Sequence, residues 1–101
     1  MESKSCNTIE DFDLILQEML STYKKKNADY GNSFAETIQE FGLIPAVARI
    51  SDKVKRMKNI VKGQKMNYDE SLRDALMDAA CYCVMTVVEL DKKILKIHKK
   101  C

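Results

Sequence analysis

Apolar residues recur at three- and four-residue steps along most of the chain. Phe12, Ile15, Leu16, Met19, Leu20 and Tyr23 form the first such face, which predicts an amphipathic helix. Asn7 or Thr8 can cap it, with Glu10 and Asp11 in the first turn and Lys24 to Lys26 at the end, each where the helix dipole favours its charge. The stretch Asn27 to Asn32 breaks the pattern with turn-forming residues, and Gly31 can take positive φ. Ser33 can cap a short helix running to Phe41, with Glu36 in the capping-box position and Gly42 as the stop. Pro45 suits the first turn of a third helix that reaches about Val61, where Gly63 ends it. In that helix Val47, Ile50, Val54, Met57 and Val61 read as the core seam. A loop over Gln64 to Tyr68 follows. Asn67 or Asp69 caps a fourth helix, with Leu72, Leu76, Ala79, Ala80, Cys83, Val87, Leu90, Ile94 and Leu95 as its apolar face. That helix continues to about Ile97, long for a globular protein.

Three longer helices plus one short one predict an all-α fold, a small antiparallel helical bundle. The chain has 101 residues, 46% of them hydrophobic and 32% charged, which fits one domain over 1–101 behind a loose tail at 1–6. One Pro and three Gly in the whole chain agree with a helical fold. So small a bundle gains from pairing, and a homo-oligomer is expected. The net charge of +2 is too small to argue for nucleic-acid binding by bulk charge. Cys81 and Cys83 would point about 200° apart on a helix, no Cys-x-x-Cys is present, and Cys6 and Cys101 sit near the termini. These four read as reduced thiols. With no apolar run of membrane-span length and a polar N-terminus, a cytoplasmic protein is expected.

Three constellations could carry chemistry. Glu70, Asp74 and Asp78 are four apart, each displaced about 40° around a helix from the last, and Tyr82 continues the stripe. Such carboxylates can bind Mg²⁺, with Glu36, Glu40 and Asp52 as acids from facing helices. They can equally pair with the second constellation, Arg49, Lys53 and Arg56, which share one side of the third helix. Arg grips phosphate through two parallel hydrogen bonds, and Lys adds a point charge. The third is Asp29-Tyr30-Gly31 with Ser33, where a ring beside Gly can stack on a base and a helix start offers free N–H groups to an anion. His98 stands alone near the chain end, and no Ser-His-Asp or Cys-His arrangement suggests a nucleophile.

Taken in order, Asn27-Ala28-Asp29-Tyr30-Gly31, Phe41-Gly42, Arg49-Ile50-Ser51-Asp52-Lys53 with Arg56, and Asp69-Glu70-Ser71 with Asp74, Asp78 and Tyr82 resemble the phage and prophage family called nucleotide modification associated domain 1. The resemblance runs from about Lys26 to Leu90 and implies a link with nucleotides. A more distant similarity is to MazG-like all-helical nucleotide pyrophosphohydrolases, which hold Mg²⁺ with Glu-x-x-Glu on one helix and Glu-x-x-Asp on the next. This chain departs from that pattern: Asp52-Lys53-Val54-Lys55-Arg56 stands where acids would be, and Glu70 and Asp74 are four apart.

The favoured reading is a phage-type protein that binds a nucleotide or nucleotide-derived ligand in the host cytoplasm without catalytic residues or a cofactor. Sequestering a host immune signal, such as a cyclic nucleotide or an ADP-ribose derivative, is the expected purpose. Arg49, Lys53 and Arg56 would hold phosphate and Tyr30 would stack on the base. Asp29, Asp74 or Asp78 would orient cations or sugar hydroxyls, with Gly31, Ser33 and Tyr82 completing the site. The first alternative is a Mg²⁺-dependent nucleoside triphosphate pyrophosphohydrolase with Glu36, Glu40, Glu70, Asp74 and Asp78 as metal ligands. The second is a protein-interaction module built on the long last helix and its Lys-rich end.

Overall fold

The computed structural model of the chain describes residues 8–30, 32–63 and 72–100, with side chains over 8–27, 32–63 and 72–93. Four helices and no strand are present among the described residues: α1 (Thr8–Tyr30), α2 (Ser33–Phe41), α3 (Ile44–Lys62) and α4 (Arg73–Lys100). The fold is all-α, with three longer helices and one short one. The tail at 1–6, the loop at 64–68, the capping choice between Asn67 and Asp69, and Cys6 and Cys101 lie outside the described residues. None of these helices is long and apolar enough to cross a membrane.

The chain divides into two compact units, Met1–Gly31 and Asn32–Cys101. In the first, α1 carries Glu10 and Asp11 in its opening turn, as the dipole favours. The Gln17 amide donates to Asp13 one turn back at 2.6 Å. The helix does not stop at Lys26. It continues through Asn27 and Asp29 to Tyr30, so the lysines sit a turn before its end. Asn and Asp cost a helix only about 0.7 kcal/mol each relative to Ala, too little to end it without a Gly or Pro.

In the second unit α2 begins one residue earlier than a Ser33 cap requires. Asn32 occupies the cap position with φ −103°, its carbonyl accepts from the Glu36 N–H at 2.9 Å, and no side chain caps the helix. Ser33 is therefore the first helical residue, and Glu36 falls one position past the capping-box site. At the other end the Gly42 N–H closes on the Ile38 carbonyl at 2.8 Å with φ 83° and ψ −161°. That backbone region is essentially confined to glycine, so Gly42 both ends α2 and turns the chain into α3. Pro45 sits in the first turn of α3, and the Gly63 N–H reaches the Asn59 carbonyl at 3.0 Å at its end.

Helices α3 and α4 pack antiparallel, since Lys53 meets Asp78 while Arg49 meets Tyr82. The contact is built on small residues. Ala46 of α3 and Ala75 and Ala79 of α4 are buried, and Ile38 of α2 is fully buried with them. The α3 face turned inward is Ala46, Ile50, Lys53, Met57 and Ile60. The expected seam is thus half right: Ile50 and Met57 belong to it, whereas Val47, Val54 and Val61 stay exposed. Neighbouring helical residues differ by 100° in direction, and close approach of two helices selects the stripe containing Ala46 over the one containing Val47. On α4 the inward stripe is Ala75, Ala79, Tyr82, Thr86 and Glu89, while Leu76, Cys83 and Val87 of the expected face are exposed. Glu89 is a buried acid, with the Lys92 ammonium 3.2 Å from its carboxylate one turn on.

Candidate functional site

The polar side of the α3–α4 pair is built around Tyr82. Its position on the inward stripe of α4 keeps the ring half-buried. Phe34 of α2 packs on it, the ring centroids 5.6 Å apart and tilted by 41°, a favourable offset for two quadrupoles. The Arg49 guanidinium lies 5.8 Å from the Tyr82 centroid, and its Nη1 donates to the Tyr82 hydroxyl at 3.4 Å. Arg49 is otherwise exposed. One aromatic side chain therefore meets the guanidinium through both its hydroxyl and its ring.

One turn further along α3, Lys53 Nζ lies 3.3 Å from Asp78 Oδ2. The next residue of the row, Arg56, is exposed and has no hydrogen-bond or ion-pair partner among the described residues. It lines a shallow, wide-open surface groove together with Asp52, Lys55, Asn59 and Ile60 of the same helix. Two cations, an amide and one acid line this groove, on a helix that holds six Lys and Arg against a single Asp. The local field therefore favours an anion, although the net charge of the chain is small.

The structure brings together only part of the expected set. Arg49 and Tyr82 touch, Lys53 and Asp78 touch, and Arg56 follows on the same side of α3. Ser33 is exposed at the start of α2, and its carbonyl accepts from the Thr37 hydroxyl at 2.9 Å. Asp74 is exposed in the first turn of α4. The side chains of Asp29 and Tyr30, and Gly31 and Glu70 entirely, lie outside the described residues. Glu36 and Glu40 are exposed on α2, and among the described residues no three His, Cys, Asp or Glu side chains gather as a metal would need.

Four contributors escaped the sequence reading. Phe34 stands four residues before Ile38 on the apolar face of α2, a signal that a helical-periodicity count of that short helix would have shown. Lys55 and Asn59 are four apart on α3 and lie beside Arg56 in the groove. Glu89 stands in register with Ala75, Ala79, Tyr82 and Thr86, and its place on that stripe was the available signal of a buried acid.

Fold and site together define a small all-helical domain with a cation-rich helix beside an aromatic pair. The chain belongs to the nucleotide modification associated domain 1 family, whose pattern matches residues 26–90. The matched span runs from the last turns of α1 to Leu90 of α4 and so includes Phe34, Arg49, Lys53, Arg56, Asp78 and Tyr82. No curated protein and no solved structure matches the chain.

Proposed function

We propose that the protein binds an anionic, nucleotide-type small molecule along the cationic side of α3. The observation that carries this reading is the division of labour in the row Arg49, Lys53, Arg56. Lys53 is matched by a carboxylate. Arg49 is braced by an uncharged ring. Arg56 faces an open groove beside Lys55 and Asn59. Two guanidiniums without a carboxylate partner among the described residues are suited to bidentate contact with phosphate oxygens. They stand seven residues apart on one helix, roughly 10 Å along its axis, a span that fits two phosphate groups or one phosphate and a sugar edge. The family description supports a nucleotide as the anion.

Tight holding without turnover fits sequestration of a signalling nucleotide, such as a cyclic nucleotide or an ADP-ribose derivative, in the cytoplasm of a phage-infected cell. Asp74, exposed at the start of α4, is the acid placed to meet sugar hydroxyls, and Asp78 would join it only on leaving Lys53.

The test is thermal denaturation with nucleoside mono- to triphosphates, cyclic nucleotides and ADP-ribose, with native mass spectrometry of gently purified protein beside it. A ligand present at a hundredfold its Kd stabilises by about 2.7 kcal/mol, which raises the Tm of a domain this size by roughly 10 °C or more. That shift should fall by about half or more in Arg56→Ala, the effect of a tenfold or greater loss of affinity. A panel without any shift, combined with a bare protein mass, would sink the reading. So would a shift undiminished in both Arg56→Ala and Arg49→Ala.

A further inference from the structure

Among the described residues, the row Arg49, Lys53, Arg56 meets a carboxylate only at its middle. Lys53 stands roughly 6 Å along α3 from Arg49 and roughly 4.5 Å from Arg56, and the three fall within about 60° of one another around the helix. Arg49 rests on an uncharged ring and Arg56 lines the groove, whereas Lys53 Nζ meets Asp78 Oδ2 at 3.3 Å. That contact is not sealed from water, since the two side chains are 30% and 37% exposed. The ammonium sits on a flexible four-carbon stem and can swing without moving the helix.

We infer that Asp78 is a built-in stand-in for the ligand's anion: it holds Lys53 in the empty protein and yields it to a phosphate group when the ligand binds. This rests on the binding reading above. Three cations within about 10 Å on one helix repel one another. A carboxylate against the central one relieves that repulsion while the row is empty. A bound phosphate relieves it as well, and Asp78 beside it is then a like charge that opposes the ligand. The two anions therefore compete for one ammonium. Asp78 is the weaker competitor, because a partly exposed pair is screened by solvent and a phosphate on this row is also held by the guanidiniums of Arg49 and Arg56. The Lys53–Asp78 pair thus lowers the affinity of the site and keeps the free row from repelling itself.

The test is calorimetric titration of the full chain with ADP and with inorganic pyrophosphate. Wild type, Asp78→Asn, Lys53→Met and the double variant are compared, with helical circular dichroism checked for each. Asp78→Asn should bind at least about threefold tighter than wild type, the effect of removing a screened competitor and a nearby like charge. The gain should disappear in the Lys53→Met background, so that Lys53→Met and the double variant bind alike. Equal or weaker binding by Asp78→Asn overturns the inference and leaves the binding reading standing. A gain that persists without Lys53 also overturns it, because the carboxylate then acts through the general field alone. Neither probe binding to any of the four chains overturns it too, and the wider nucleotide panel then decides the binding reading by itself. Should Asp78→Asn fold poorly, Asp78→Ala, a better helix former, takes its place with the same expected gain.

Discussion

Lys53 of α3 and Asp78 of α4 form an interhelical ion pair, Nζ to Oδ2 at 3.3 Å, with side chains 30% and 37% exposed. Those exposures set its worth. Solvent screens the pair, so the interaction lies in the range of partly exposed bridges, about 0–1 kcal/mol. Lys53→Met should lower stability by less than about 1 kcal/mol, and the difference from wild type should shrink in high salt. Urea denaturation at two ionic strengths checks both statements. A loss well above that range would mean the pair acts as a buried bridge.

Tyr82 holds two neighbours through different parts of its side chain. Phe34 meets the ring, and Arg49 meets both hydroxyl and ring face. Tyr82→Phe keeps the ring contacts and loses one long hydrogen bond, so it should cost no more than about 0.5 kcal/mol. Tyr82→Ala removes the half-buried ring and should cost about 2 kcal/mol or more. Equal effects of the two variants in chemical denaturation would show that the hydroxyl, not the ring, anchors this cluster.

Gly42 at φ 83° and ψ −161° has no atom near the space a side chain would fill. The penalty of Gly42→Ala is therefore backbone strain alone, about 1–3 kcal/mol. Thermal unfolding measures it. A neutral or stabilising substitution would mean that the α2–α3 connection adopts another conformation in solution.

Arg56 lines the groove without a partner among the described residues. Arg56→Ala should leave stability within about 0.5 kcal/mol of wild type. It should weaken binding of the nucleotide-type ligand at least about tenfold, as loss of a charge-assisted bidentate contact does. Calorimetry paired with denaturation separates the two. A large stability loss with unchanged binding would turn Arg56 into a structural residue.

Under the binding reading a bound nucleotide is recovered intact after incubation with Mg²⁺. Chromatography of the released ligand checks this. Pyrophosphate release that disappears with EDTA and in Asp74→Asn would instead establish metal-assisted hydrolysis, with Asp74 among the metal ligands.

The sequence by itself determined the helices, their punctuation and the family. Periodicity, Gly42, Pro45 and Gly63 act within a turn or two of chain, so the bounds of α2 and α3 were legible to within a residue and the body of α4 was legible with them. The end of α1 was less so, because Asn27 and Asp29 weaken a helix without ending it. The grouping of Arg49, Lys53 and Arg56 on one side of α3 was equally plain from their spacing. What those cations meet was decided only by tertiary packing. A rotation of 100° about α3 exchanges the Ala46 stripe for the Val47 stripe, and both are apolar enough to satisfy a periodicity count. Close approach at Ala46, Ala75 and Ala79 chose between them. That choice placed Lys53 against Asp78, laid Arg49 on Tyr82 and left Arg56 facing the groove.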